Sequence, residues 1–420
     1  MKRILIIDGQ GGGMGAQLAK LLLPKLPADC ELLAVGTNVL ATSAMLKAGA
    51  VRGATGENAV VYNAARADVI LGPIGILMAN GIMGEVSPNM SVAISGSEAA
   101  KVLISRGHEV TALALPPLPE GAVLPPEMKI EYGNYLEMSD DELRKHLTGC
   151  DGFVFAAGVD ERVEGPAPIY NLYKKYNIDP IHRLLKLAKE CGVKHVSICG
   201  SYFAYFAKTM PELELTRWHP YIRSRIDQEN AALSFADDNF SVAVLELPYI
   251  FGTQPGRKPV WMFLAEQIRS SKGNVMYPKG GSTMVTVHQV GQALAGALEH
   301  TQGGKCWPIG YYNMTWKQMI AVMCKHMGCP EKKVTTIPNW MFTLGCKSMV
   351  KDYKKRNIDN GLYLPKLAQI QCSELFIDKS LGCEPLGVEP DDIDAAIGDS
   401  MRLCTAILDG KAKTIGMKGE

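Results

Sequence analysis

VKHVSICGSYFAYFAKTMPELELTRWHPYIRSR, residues 193–225, lays out a strand, a break and a helix with polar side chains at both joints. Residues 194–198 read as a short buried strand that breaks at Cys199-Gly200 and presents Ser201. After a loop the chain reaches Tyr221-Ile-Arg-Ser-Arg225. One helical turn puts positions i and i+4 on one face, so Tyr221 and Arg225 point at a common site. A cation beside a phenol favours the phenolate, so Arg225 is expected to lower the Tyr221 pKa from about 10 towards the working pH. Ser201 then holds a substrate oxygen while Tyr221 gives or takes its proton. A buried Ser–Tyr hydrogen bond with no chemistry is the competing reading.

Further motifs surround this stretch. Gly152-Phe-Val-Phe-Ala-Ala-Gly158 is a buried strand ending in small residues, and Asn177 precedes a helix with Ile181, Leu184, Leu185 and Ala188 on one face. Val242-Ala-Val-Leu-Glu-Leu-Pro248 continues to Gly252. Together these motifs resemble the extended short-chain dehydrogenases/reductases, the NAD-dependent epimerase/dehydratase family, over about residues 106–400. The resemblance implies an NAD(P)-binding Rossmann fold with Tyr221 as acid/base, Ser201 as its hydroxyl partner and Arg225 in place of the family's Lys. Ala156, Ala157 and Gly158 would let the cofactor approach, Asn134 would stand near the adenine in place of Asp, and Pro248 would close over the nicotinamide. Leu247 replaces the Arg that usually precedes that Pro. Arg does not deprotonate and differs in shape from Lys, so Arg225 does not simply inherit the proton relay.

The N-terminal part carries a second pattern. Residues 2–8, KRILIID, read as a buried parallel strand running into Gly9-Gln-Gly-Gly-Gly-Met-Gly15, then a helix with Leu18, Leu21 and Leu22 inside. Gly9, Gly12 and Gly15 let a backbone approach an anion at a helix N-terminus, so a dinucleotide or phosphate site is one reading. A tight turn that binds nothing is the other. Strand 31–35 ends in Gly36-Thr-Asn38, with no acidic residue for a ribose hydroxyl. Residues 1–104 resemble a small bacterial family of unknown function through IDGQGGGMG, GTNVLATSAMLKAGA, GATGENAVVYNA and GPIGILMANGIMGE. That resemblance brings no activity.

The expected architecture is therefore α/β, with two consecutive Rossmann-like parallel-sheet units. Residues 1–104 form the first and 105–420 the second, whose core ends near 250 and whose mostly helical substrate-binding region covers about 250–400. Residues 88–105 read either as a helix from 88 with a strand at 101–104, or as a strand at 91–95 with a helix over 97–105. The second unit lacks its own three-glycine loop. Residues 116–126 read as a proline-rich surface loop and 411–420 as a mobile tail. Arg257 and Lys258 read as solvated loop cations before substrate ligands.

A net charge of +1, with 47% apolar and 21% charged residues, describes an ordinary globular protein and lacks the footprint of a nucleic-acid or anionic-membrane binder. No export signal is read and no segment approaches about 18 apolar residues, so the 11 scattered cysteines are expected to be reduced thiols in a cytoplasm. The Cys324/His326/Cys329 cluster reads as structural thiols, with no metal.

The functional expectation is an NAD- or NADP-dependent oxidoreductase or epimerase/dehydratase acting on a small hydroxyl or carbonyl compound such as a nucleotide sugar. A degenerate, non-catalytic nucleotide or metabolite binder is the alternative, as is a fusion whose first unit binds a separate phosphorylated ligand. Oligomeric state stays open; homodimers paired through two long helices are common in the resembled family.

Overall fold

The computed structural model describes residues 2–27, 30–64, 67, 69–72, 85, 98–115, 125, 127–253, 257–356 and 358–412. The chain divides into two units, residues 1–132 with 254–257, and 133–253 with 258–420.

In the first unit, β1 (Lys2–Asp8), β2 (Cys30–Gly36), β3 (Arg52–Thr55) and β4 (Val69–Leu71) form a parallel sheet in the order β3-β2-β1-β4. The apolar run of β1 buries Leu5, Ile6 and Ile7, as a strand covered on both faces requires. Helices Gly13–Leu22, Val39–Lys47 and Glu57–Ala64 alternate with the strands. Gly12 is the residue before the first helix, at φ +68°, and a Cβ there would lie 2.6 Å from the Ala41 Cα. Asn38 starts the second helix by accepting from the Ala41 N–H at 2.9 Å.

Helix Glu98–Ser105 agrees with the helix of the second reading of residues 88–105; the strand paired with that reading lies outside the described residues. So do residues 116–124, residues 79–84 and the tail beyond 412. β5 (Thr111–Ala114) and β6 (Lys129–Tyr132) form a parallel pair within the first unit.

The second unit is built on β7 (Gly152–Phe155), β9 (His195–Cys199), β10 (Ser241–Glu246) and β14 (Gly304–Pro308), all parallel, in the order β14-β10-β9-β7. Every residue of β10 is buried, the apolar Val242–Leu245 together with Ser241 and Glu246 at its two ends. Helices Asp179–Glu190, Pro220–Leu233 and Val287–His300 accompany this sheet. β14 comes from well beyond residue 250, so the core sheet takes a strand from the region expected to hold substrate. The rest of that region combines helices with short strands. β11 (Tyr249–Phe251), β13 (Gly281–Thr286), β15 (Tyr312–Thr315) and β18 (Glu374–Leu375) form one sheet, and β12 (Val275–Pro278) pairs β16 (Val334–Ile337). β8 (Glu164–Pro166) pairs antiparallel with β17 (Ile358–Asn360), tying the loop after β7 to a distant segment.

Cys324 is fully enclosed in the apolar core of this region, and His326 pairs with Asp394 at 2.8 Å. Among the described residues no helix is long and apolar enough to cross a membrane.

Candidate active site

Because β7, β9 and β10 are parallel, their C-terminal ends lie at one edge, where open α/β sheets bind ligands. Gly200 turns the chain out of β9. Its N–H donates to the Leu245 carbonyl at 2.8 Å, and a Cβ would lie 2.8 Å from Val244 Cγ1. Ser201 then starts helix Tyr202–Thr209, accepting from the Phe203 N–H at 3.4 Å. Tyr221 is on the first turn of helix Pro220–Leu233, where its N–H donates to the Gly361 carbonyl at 3.0 Å.

The structure brings Ser201, Tyr221 and Arg225 together. They are only 5%, 4% and 7% exposed. The Arg225 guanidinium sits 5.0 Å from the centre of the Tyr221 ring, and both Arg225 and the Ser201 hydroxyl interact with the phenol. Its nitrogens are heavily used. One donates to Gln228 Oε1 at 2.8 Å and the Cys199 carbonyl at 3.4 Å, another to the Val159 carbonyl at 3.3 Å, while Nε has no hydrogen-bond partner among the described residues. Arg225 thus fastens the ends of β7 and β9 to the tyrosine helix.

The acidity of Tyr221 corrects the sequence expectation. Burial pushes the phenol above its usual value and outweighs the opposing charge of Arg225. The spacing of Tyr221 and Arg225 foretold the cation, but the sequence does not show how deeply the ring is packed. Tyr173 and Phe203 close on its edges, with ring centres 5.4 and 6.3 Å away.

Ala156 and Gly158 are exposed at the end of β7, and Ala157 is half-buried. Gly158 has φ +142°, and a Cβ there would lie 2.7 Å from Asn177 Oδ1. Asn177 is fully buried in a π-helical turn, Lys174–Ile178, and clamps Val159 from both sides: it accepts from the Val159 N–H at 2.9 Å and donates to its carbonyl at 3.0 Å. π-turns of this kind often mark functional sites. Gln228 donates to the Asn177 carbonyl at 2.8 Å, closing a network that the sequence did not reveal. Pro248 is buried between β10 and β11. Asn134 spends its side-chain oxygen on the Leu136 N–H at 3.2 Å, inside a local turn.

Gly9, Gly12 and Gly15 belong to the first unit. There Asp8, 5% exposed, accepts from the Gly9 and Gly15 N–H groups at 2.8 and 2.7 Å. Glu85 accepts from the Gln10 N–H, the Thr37 hydroxyl and the Asn38 amide at 2.7, 2.6 and 2.9 Å. These bonds hold the Glu85 carboxyl below the usual range. The donors that would cradle a phosphate therefore hold the chain's own carboxylates, and a phosphate would meet their charge.

A family model described as a domain of unknown function, DUF3842, matches residues 3–120. No curated protein matches the chain. Among solved structures, gox2253 is similar at 19% identity and TM-score 0.58, covering 76% of this chain and 96% of that one. A nucleoside-diphosphate-sugar epimerase from Pseudomonas aeruginosa is similar at 14% identity and TM-score 0.51, over 75% of this chain and 94% of that one. The Bordetella bronchiseptica enzyme WbmH, in complex with NAD+, is similar at 13% identity and TM-score 0.51, over 74% and 95%. At these identities the likeness establishes a shared α/β fold.

Proposed function

We propose that the second unit is an NAD- or NADP-dependent oxidoreductase, or epimerase/dehydratase, acting on a small hydroxyl or carbonyl compound of the nucleotide-sugar class. The observation that carries this reading is the meeting of Ser201, Tyr221 and Arg225 at the C-terminal edge of a parallel sheet, beside the exposed small residues Ala156 and Gly158. The fold shared with an epimerase and with an NAD+ complex supports it. Absence of side-chain bulk at Ala156–Gly158 suits the approach of a flat ring, and Pro248 would border it. Bound nicotinamide would supply the hydride acceptor or donor. The chain's own work is to hold the substrate oxygen with Ser201 and to exchange its proton through Tyr221. Arg225 contributes a fixed positive charge and holds the frame; being an arginine, it relays no proton.

Binding without turnover is the second reading. Its support is the Arg225 guanidinium, spent on main-chain carbonyls where the family has Lys. Incubating the protein with NAD+ or NADP+ and a panel of nucleotide sugars separates the two. Reduced nicotinamide should form with at least one sugar, and Tyr221→Phe should slow it by about 10²–10⁴-fold. Cofactor binding with no reduction across the panel would favour the non-catalytic reading.

A further inference from the structure

Helix Trp316–His326 ends in a turn that brings two thiols together. Met327 closes the helix, and Gly328 follows at φ +74°. The Gly328 N–H donates to the Lys325 carbonyl at 3.3 Å, and the Cys329 N–H reaches back to the Cys324 carbonyl at 3.0 Å. This pair of bonds ends a helix on a left-handed glycine and folds the residue after the glycine onto the helix's last turn. Two apolar side chains commonly meet there. Here both are cysteines, and the two thiols are within hydrogen-bonding reach of each other.

The two sulfurs differ in access. Cys324 is 1% exposed, enclosed with Met319, Ile320 and Met323, whereas Cys329 is half-buried at the border of the same cluster. Burial and the Cys329 sulfur raise the Cys324 thiol to about 11, so it keeps its proton at neutral pH. His326 stands between them in sequence but turns away. It pairs with Asp394 at 2.8 Å, and a Cβ on Gly398 would lie 2.6 Å from its ring. Among the described residues no group of three His, Cys, Asp or Glu side chains is placed to hold a metal ion. The turn therefore presents a dithiol, and both thiols are free in this structure. A disulfide needs Cα atoms about 4.4–6.8 Å apart, a closeness that a direct main-chain hydrogen bond between the two residues suits.

We infer that Cys324 and Cys329 form an oxidisable dithiol site, which a peroxide converts into an intramolecular disulfide. The Cys329 thiolate attacks one peroxide oxygen, the O–O bond breaks and hydroxide leaves, giving a sulfenic acid. The Cys324 sulfur then attacks the Cys329 sulfur. The S–O bond breaks, and its oxygen leaves as water with the Cys324 proton. The peroxide gains the two electrons that the two sulfurs lose. An enclosed cysteine by itself is inert, and contact with the more accessible Cys329 is what gives Cys324 a reaction. The disulfide would fix the helix end from which Lys325 and His326 both reach Asp394, at 3.0 and 2.8 Å.

The test uses the full-length protein, reduced, freed of reductant and treated with hydrogen peroxide. Remaining thiols are blocked with N-ethylmaleimide in urea, and the protein is digested with trypsin without reduction. Cleavage after Lys325 puts the two cysteines on separate fragments, residues 318–325 and 326–332. The fragments should be recovered joined, and dithiothreitol should part them. Separate fragments with maleimide on both sulfurs would overturn the inference, as would Cys329 carried to the sulfinic acid beside an alkylated Cys324. Two variants check the order of the steps. Cys324→Ser should leave Cys329 as a sulfenic acid that dimedone captures, and Cys329→Ser should leave Cys324 unoxidised. Dimedone on Cys324 in the folded Cys329→Ser protein would contradict the assigned roles. The wild-type digest decides the inference even if a variant fails to fold, and no outcome depends on nicotinamide binding.

Discussion

Arg225 shows how one residue can hold a framework while lying against the proposed acid/base. Its guanidinium joins Gln228, Cys199 and Val159 while lying over the Tyr221 ring. A lysine has one nitrogen and no fork, so Arg225→Lys would give up most of the bonds to Gln228 and to the Cys199 and Val159 carbonyls, the last of which keeps the Asn177 amide. We expect it to destabilise the second unit by about 1–3 kcal/mol, read as a lower urea midpoint. An unchanged midpoint would mean that these bonds are dispensable. The Tyr221–Arg225 face was legible because helical periodicity fixes it. The guanidinium's other engagements were not, since its carbonyl partners lie 26 and 66 residues away and no side-chain type announces them. Nor does spacing reveal desolvation, so the direction of the Tyr221 shift came out opposite to expectation.

At the next scale, three elements share a cluster of two buried acids and one exposed lysine. Lys208 of helix Tyr202–Thr209 lies 2.8 Å from Glu229 of the tyrosine helix and 2.9 Å from Glu246 at the end of β10. Glu229 and Glu246 are 3% and 1% exposed, with the Cys306 thiol beside Glu229. One cation cannot neutralise two enclosed carboxylates, so the pair keeps a proton. Burial and Glu229 raise Glu246 to about 7, and burial raises Glu229 despite Lys208. Folded pKa values above the unfolded ones mean that the native state holds a proton that the unfolded chain releases. The cluster's contribution is complete below the unfolded value of 4.5 and is lost as pH rises through about 7. The loss should be no steeper than about 1.4 kcal/mol per pH unit for one proton. Glu246→Gln should flatten this part of the curve in urea melts across the range; an equally sloped variant would contradict a retained proton.

His219, the residue before the tyrosine helix, acts in the opposite direction. It is fully buried, and its Nδ1 accepts from the Tyr363 N–H at 3.0 Å. Burial lowers its pKa from 6.5 to about 4, so its contribution is present above 6.5 and is lost as pH falls through 4. His219→Gln should reduce the loss of stability in that window. Neither the acids nor this histidine stood out in the sequence, because a Glu on a helix or strand reads as solvated until its neighbours are placed.

For the whole molecule, alternating strands, glycine turns and amphipathic helices made two parallel-sheet units legible. The β3-β2-β1-β4 and β14-β10-β9-β7 orders follow from pairing between distant strands, which local periodicity does not encode. Asp8 is instructive: it closes the glycine turn by binding the Gly9 and Gly15 N–H groups. Asp8→Ala should weaken the first unit by about 1–2 kcal/mol, seen as faster hydrogen exchange in β1 and helix Gly13–Leu22. Unchanged exchange there would mean that other groups satisfy the turn.

The central claim is that a nicotinamide dinucleotide binds the second unit beside Ala156–Gly158. Calorimetric titration with NAD+, NADH, NADP+ and NADPH tests it most directly, using the wild-type protein and an Ala156→Trp variant whose added ring stands at an exposed position. The account predicts saturable binding of at least one of the four by the wild type, lost in the folded variant. Binding that survives Ala156→Trp, or no binding by the well-folded wild type, would contradict it.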